Sequence, residues 1–172
     1  YIKVDSLLHV LPELRGTQLI DAYNQLAMAN SLSNDEQSYE YASAALDLAL
    51  KHNYPAGKAR AYYSMAISQY VNDNFGDALA LQLQSHRLYD SLNMHYEAGN
   101  ILLQIAGIHA YTGAIELEAK YLQQAIAAFN KLEDTTAAVL SLIKLGHACL
   151  NTGDTIDALN EFYIALHLSE LI

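Results

Sequence analysis

The sequence predicts an all-α repeat fold: four antiparallel helix pairs behind a short N-terminal helix. Three observations carry it. Apolar and small residues recur at helical spacing along most of the 172 residues, and no period-two alternation persists. Capping and turn residues cut the chain at regular intervals. One pattern, clearest at 142–166 (LIKLGHACLNTGDTIDALNEFYIAL), returns three times upstream.

In that copy Leu142, Leu145 and Gly146 mark one face of a first helix, and Ala158, Phe162 and Ala165 the facing side of a second. Small residues let two helix backbones approach while the larger ones fill the space between them. A pair this short buries only one face and needs stacked neighbours.

In chain order, 4–11 reads as a short helix with Leu7, Leu8 and Leu11 on one side, capped by Asp5 or Ser6 and closed by Pro12. The first helices of the pairs then align as Tyr23/Leu26/Ala27, Tyr62/Met65/Ala66, Leu103/Ala106/Gly107 and Leu142/Leu145/Gly146. The spacings are 39, 41 and 39 residues (23 to 62, 62 to 103, 103 to 142). The second helices align as Ser38/Ala42/Ala45, Ala78/Gln82/Ser85, Ala119/Gln123/Ile126 and Ala158/Phe162/Ala165. Turns within pairs fall at Ser33–Asp35, Asn74–Asp77, Thr112–Gly113 and Thr152–Asp154; those between pairs fall at His52–Pro55, Ser91–Asn93 and Glu133–Thr135. Each supplies a helix cap or a residue that tolerates positive φ. Pro55 suits a first helical turn, where its missing N–H costs nothing.

Composition narrows the function. The 52% hydrophobic fraction excludes disorder, and no run approaches the ~18 apolar residues of a membrane span. A net charge of −10 with nine Lys and Arg argues against nucleic acid and anionic membrane surfaces. Cys149 is the only cysteine, so no internal disulfide forms. The chain starts at Tyr1 without Met and is expected to be a segment of a longer protein.

The order aromatic or Leu, then Leu-Gly, a turn, then Ala-x-x-x-Phe resembles the tetratricopeptide repeat (TPR). Leu145-Gly146 with Ala158, Phe162 and Ala165 carries it best; Gly107 with Ala119, and Ala66 with Ala78, keep the same offset of twelve residues (107 to 119, 66 to 78). The repeats exceed the usual length of about 34 residues, like the long-repeat branch of the family. The resemblance implies a right-handed α-solenoid forming a single domain over 1–172, with a capping helix at 4–11 and repeats at 16–52, 55–92, 95–132 and 135–172. A narrower resemblance rests on KVDSLLHVLPEL and ALDLALKHNYPAGKARAYYSMA. These look like the N-terminal TPR region of bacterial sensor histidine kinases and transcriptional regulators of the Bacteroidetes type. That implies the sensory or scaffolding part of a larger bacterial signalling protein, in a periplasmic or membrane-tethered region or, alternatively, in the cytoplasm.

In TPR proteins the inner helix of each pair lines a concave face. The resemblance therefore places a peptide-binding groove on Asp21, Asn24, Met28 and Ser31; on Arg60, Tyr63, Ile67 and Tyr70; on Ile101, Gln104, Ile108 and Tyr111; and on Leu140, Ile143, His147 and Leu150. The expected partner is a protein or peptide with an apolar or aromatic segment. The alternative is that the tyrosines fill the interior. Arg60 and Asn24 are the only residues here of the type that clamps a chaperone's C-terminal carboxylate, so that use is set aside.

No cofactor, metal or catalytic site is expected. No two of the seven His stand at i,i+4. His147 and Cys149 point to different sides of their helix, and Glu116/Glu118 and Asp154/Asp157 sit in first turns, where negative charge complements the helix dipole. A helical hydrolase built on His147 or these carboxylates is the enzymatic rival. A self-association module is the structural one: Ala158, Leu159, Phe162, Ala165 and Leu166 are assigned to the last helix's own partner, leaving Ile156, Ile164, Leu168, Leu171 and Ile172 as an apolar edge for a further helix or a homodimer.

Overall fold

The computed structural model describes residues 4–31 and 33–170. Its elements in order are α1 (Val4–Val10), a 3₁₀ turn (Leu11–Glu13), α2 (Gly16–Asn30), α3 (Asp35–Lys51), α4 (Pro55–Val71), α5 (Phe75–Ser91), α6 (His95–Tyr111), α7 (Ile115–Lys131), α8 (Thr135–Thr152) and α9 (Thr155–Ser169). The described residues are helical or lie in short turns, with no strand among them. The helices pack in successive antiparallel pairs, α2/α3 and α4/α5, then α6/α7 and α8/α9. They divide into two compact units, Tyr1–Leu92 and Asn93–Ile172.

The turns follow one rule. A left-handed residue stands at 53, 73, 93, 113, 133 and 153, one every twenty residues: Asn53, Asp73, Asn93, Gly113, Glu133 and Gly153. In five of these turns the next N–H reaches back five residues, as in Tyr54 N–H to Ala49 O at 2.9 Å and Asp154 N–H to Cys149 O at 3.0 Å. This is the six-to-one bond of a Schellman ending, which satisfies carbonyls the helix leaves open. Side-chain caps then start three helices: Asn34 accepts from Gln37 N–H, Asp134 from Ala137 N–H and Asp154 from Asp157 N–H. Asp5 and Ser6 lie inside α1 instead of capping it, and α1 buries none of its residues.

In unit 1, Ile20, Ala45, Ala49 and Ala61 form one core cluster, and Ala27, Ala42 and Met65 another. Small residues hold the seams at close range, and buried hydroxyls there bond helix carbonyls: Ser38 donates to Ala27 O at 2.8 Å and Ser85 to Ala59 O at 2.9 Å. In unit 2, Leu102, Ala125, Phe129 and Ala138 form one cluster, and Ala106, Leu122, Leu145 and Ala148 the other. At the last pair Gly146 meets the ring of Phe162, as its place in the pattern predicts. Leu159 and Leu166, assigned to that seam, are exposed instead, because they lie on the flank that on α7 packs against α8. Of the edge expected from the sequence, Ile156 and Ile164 are exposed, Leu168 is half-buried, and Leu171 and Ile172 lie outside the described residues.

The third pair departs from the expected register by one residue. Leu102, Ile105 and Ala106 are buried where Leu103, Ala106 and Gly107 were aligned, and Gly107 is exposed with no heavy atom near the position of a Cβ. On α7 the seam residues are Glu118, Leu122 and Ala125, while Gln123 is exposed. The first-helix spacings become 39, 40 and 40 (23 to 62, 62 to 102, 102 to 142), and the second-helix spacing is 40 throughout (38 to 78 to 118 to 158). The expected register looked plausible because Gly107 and Ala119 offer small residues at the usual offset. The observed one places a glutamate where the other pairs have Ser38, Ala78 and Ala158.

Candidate functional site

In unit 1 a cleft of about 640 Å³ opens on the first helices of the two pairs, lined by Asp21, Asn24, Gln25 and Met28 of α2, Arg60 and Tyr63 of α4, and Tyr89 of α5. Two polar ties fix its walls. The Arg60 guanidinium donates to Asp21 Oδ1 at 2.6 Å, and the Tyr54 hydroxyl lies 3.3 and 3.4 Å from the two oxygens of the same carboxylate. Burial alone would lower the Arg60 pKa, but Asp21, Tyr54 and Tyr89 more than offset it and hold the group charged. The second tie is Asn24 Nδ2 to Gly57 O at 3.0 Å. Gly57 itself lets the Tyr54 ring and Ile20 pack closely: a Cβ there would lie 2.5 Å from Tyr54 Cδ1 and 2.7 Å from Ile20 Cγ2. Asn24 is buried, and its Oδ1 has no hydrogen-bond partner.

The rest of the surface is soft. Met28 is exposed, Tyr63 and the buried Tyr89 supply aromatic wall, and burial raises the Tyr63 hydroxyl pKa, keeping that polar tip neutral. The cleft is thus a mostly apolar concavity with a few fixed polar groups.

Of the expected groove residues, the structure gathers Asn24, Met28, Arg60 and Tyr63 in this cleft, with Asp21. Ile67 and Tyr70 lie further along α4; Ile67 is half-buried and the Tyr70 ring meets Phe75 edge-on at 5.6 Å. In unit 2, Gln104, Tyr111, Ile143 and His147 are exposed, the His147 ring lying edge-on to Phe162 at 5.3 Å. Ile108 is a correction: it is buried in α6, as is Ile101, because the one-residue shift turns both inward. Tyr89 was missed, since it sits on a second helix while the expected groove used first helices alone.

The other candidates for chemistry resolve into packing. His109 is buried and stacks on Tyr121 with centroids 5.4 Å apart, and burial lowers its pKa. Burial, then Asp157, Glu161 and Asp154, push the Cys149 thiol up, the reverse of what a nucleophilic thiolate needs. Glu118 is buried, not solvated in a first turn; burial raises its pKa and Lys144 partly opposes this. Among the described residues no three His, Cys, Asp or Glu side chains gather into a group able to hold a metal ion. No described helix is long and apolar enough to cross a membrane.

Among solved structures the chain is similar to BtubC (BKLC) from P. vanneervenii, with 15% identity and a TM-score of 0.84, over 97% of this chain and 70% of that one. It is also similar to a signal transduction ATPase with numerous domains (STAND) protein with a tetratricopeptide repeat sensor from Pyrococcus horikoshii, with 19% identity and a TM-score of 0.86, over 96% of this chain and 26% of that one. A Rap protein complexed with competence and sporulation factor matches at 16% identity and a TM-score of 0.80, over 97% of this chain and 49% of that one. The chain thus spans a quarter to a half of the latter two. No protein-family model and no curated protein matches the sequence. These likenesses identify a TPR-like fold of helical hairpins.

Proposed function

We propose that this chain is a non-catalytic protein- or peptide-binding repeat module whose unit 1 holds its partner in the cleft on α2 and α4. The observation that carries this reading is the convergence of Asn24, Met28, Arg60 and Tyr63 with Tyr89 around one open concavity. The Asp21–Arg60 pair is internally neutralised, and Arg60 and Tyr54 occupy both oxygens of Asp21. Selectivity then rests on shape and on contact with Met28, Tyr63 and Tyr89, so the favoured segment carries an apolar or aromatic side chain. Aromatic walls supply such contact at low entropy cost. Ile67, Tyr70, Gln104, Tyr111, Ile143 and His147 are candidates for contacts with a longer partner.

The similar structures support this setting, one through its tetratricopeptide repeat sensor and another through its complex with competence and sporulation factor. On this reading the chain is the sensory or scaffolding part of a larger signalling protein, of bacterial type by the sequence resemblance.

A displayed library of random peptides, selected on the wild-type chain and recaptured by Met28→Glu and Tyr63→Ala, tests it. Selected peptides should carry apolar or aromatic side chains and be held at least tenfold less tightly by either variant, which is about 1.4 kcal/mol. Equal capture by variants with wild-type melting curves would move the site elsewhere.

A further inference from the structure

Building on the peptide-binding reading of the cleft, we propose that Asn24 determines its specificity, selecting a partner ring that carries a hydrogen-bond donor, tryptophan or tyrosine, over phenylalanine. Asp21, Asn24, Gln25 and Met28 line the cleft from α2. Their offsets of three, four and seven residues (21 to 24, 21 to 25, 21 to 28) put them on one helix face. Asn24 lies within that face and is only 3% exposed. Its Nδ2 donates to Gly57 O of α4 at 3.0 Å. A carbonyl can only accept, so this bond fixes which end of the amide is which and turns Oδ1 away from Gly57.

Oδ1 is left buried without a hydrogen-bond partner. Nη1 of Arg60 and the Tyr54 hydroxyl are turned to Asp21 instead. Ser64 Oγ and Gln82 Oε1 are also buried and unpartnered, but neither residue lines the cleft. Among the described residues that line it, Asn24 alone holds such an atom.

An acceptor in this state has no bond to give up. A donor that reaches it therefore gains more than an ordinary exchange with water would give. The rest of the wall decides which donor fits. Met28, Tyr63 and Tyr89 call for an apolar group the size of a ring. A lysine or arginine would bring a second cation beside Arg60. A main-chain N–H is flanked by side chains and carbonyls, too broad to lead into a buried position. A phenol or an indole carries its donor at the edge of an apolar body, and the indole nitrogen brings no acceptor with it. Because Oδ1 is buried, the ring enters with its donor leading. Met28, unbranched and exposed, is the part of the wall able to yield. Phenylalanine fills the same walls and leaves Oδ1 unpaired.

A displayed peptide library with tryptophan, tyrosine, phenylalanine or leucine in equal shares at its central position tests this. The wild type should enrich tryptophan or tyrosine over phenylalanine at least about tenfold, since a site that bonds a ring donor discriminates against the ring lacking it. Tyr63→Ala should lose the enriched peptides, and Asn24→Leu, close to isosteric, should lose the preference. A second comparison needs no variant of Asn24. Replacing the enriched tryptophan by benzothienylalanine, which has sulfur in place of the indole N–H, or the enriched tyrosine by phenylalanine, should weaken wild-type binding by the same factor. The chain has no tryptophan, so competition can be read from the emission of a tryptophan-bearing peptide. Peptides that depend on Tyr63 yet bind equally well without the donor, or a folded Asn24→Leu that keeps the preference, would overturn the role of Asn24 and leave the cleft as the peptide site. A library yielding no peptide dependent on Tyr63 would overturn that site and this selectivity with it.

Discussion

Gly146 and Gly107 stand in the first helices of neighbouring repeats, yet only one of them has to be glycine. A Cβ on Gly146 would lie 2.6 Å from Cε1 of Phe162, whereas one on Gly107 would meet no heavy atom within 4 Å. Gly146→Ala should therefore cost about 1–3 kcal/mol by overpacking the seam. Gly107→Ala should instead gain about 0.5–1 kcal/mol by improving an exposed helix. Thermal melts decide it, and shifts of the same sign would undo the register found for α6. Glu118 makes the complementary test. Burial raises its pKa despite Lys144, so the folded state holds the proton more tightly than the unfolded one. Its contribution is fully present below the ordinary carboxylate value and is lost as pH rises through the folded one. Glu118→Gln should flatten that decline and raise the melting temperature near neutral pH by a few degrees, as about 1 kcal/mol does in a domain of this size. Melts of both proteins from about pH 4 to about pH 8 would show it. A parallel decline in the variant would assign the slope to other groups.

At the scale of the element, the turns carry the regularity. Glu133 adopts φ 55° at a position where Gly113 and Gly153 take 74° and 83°. A side chain in that region costs roughly 1 kcal/mol or more, so Glu133→Gly should stabilise unit 2 and Gly153→Ala should destabilise it. Chemical denaturation of the pair measures this; a loss of stability in Glu133→Gly would mean the side chain makes a contact that outweighs the backbone term. These turns are why helix bounds could be read from the sequence: Asn, Asp and Gly at the helix ends mark them without knowledge of packing. Register could not be read with the same security. Periodicity tolerates a one-residue shift when both alternatives place small and apolar residues at plausible intervals, as 102–106 and 103–107 do. Packing chose the alternative that buries Ile101 and Ile108 even though it also buries a carboxylate. The open flank of α9 was hidden for a related reason. Leu159 and Leu166 have seam spacing whether or not a helix covers them.

At the scale of the whole molecule, the hairpin architecture was legible because one pattern recurs four times and each copy constrains the others. The cleft was legible in part. Asn24, Met28, Arg60 and Tyr63 follow from their places on first helices, whereas Tyr89 belongs to a second helix and enters only once α5 is folded against α4. The polar ties were also invisible to spacing, since Asp21 and Arg60 lie 39 residues apart and Asn24 and Gly57 lie 33 apart. The central claim is that this cleft is where a partner segment is held. The most direct measurement is an amide chemical-shift titration of the labelled chain with a display-selected peptide. The shifts should concentrate at Asp21–Met28 of α2, Arg60–Tyr63 of α4 and Tyr89 of α5, and should vanish in Tyr63→Ala. Saturable binding that leaves those amides unmoved and shifts α8 or α9 instead would contradict it.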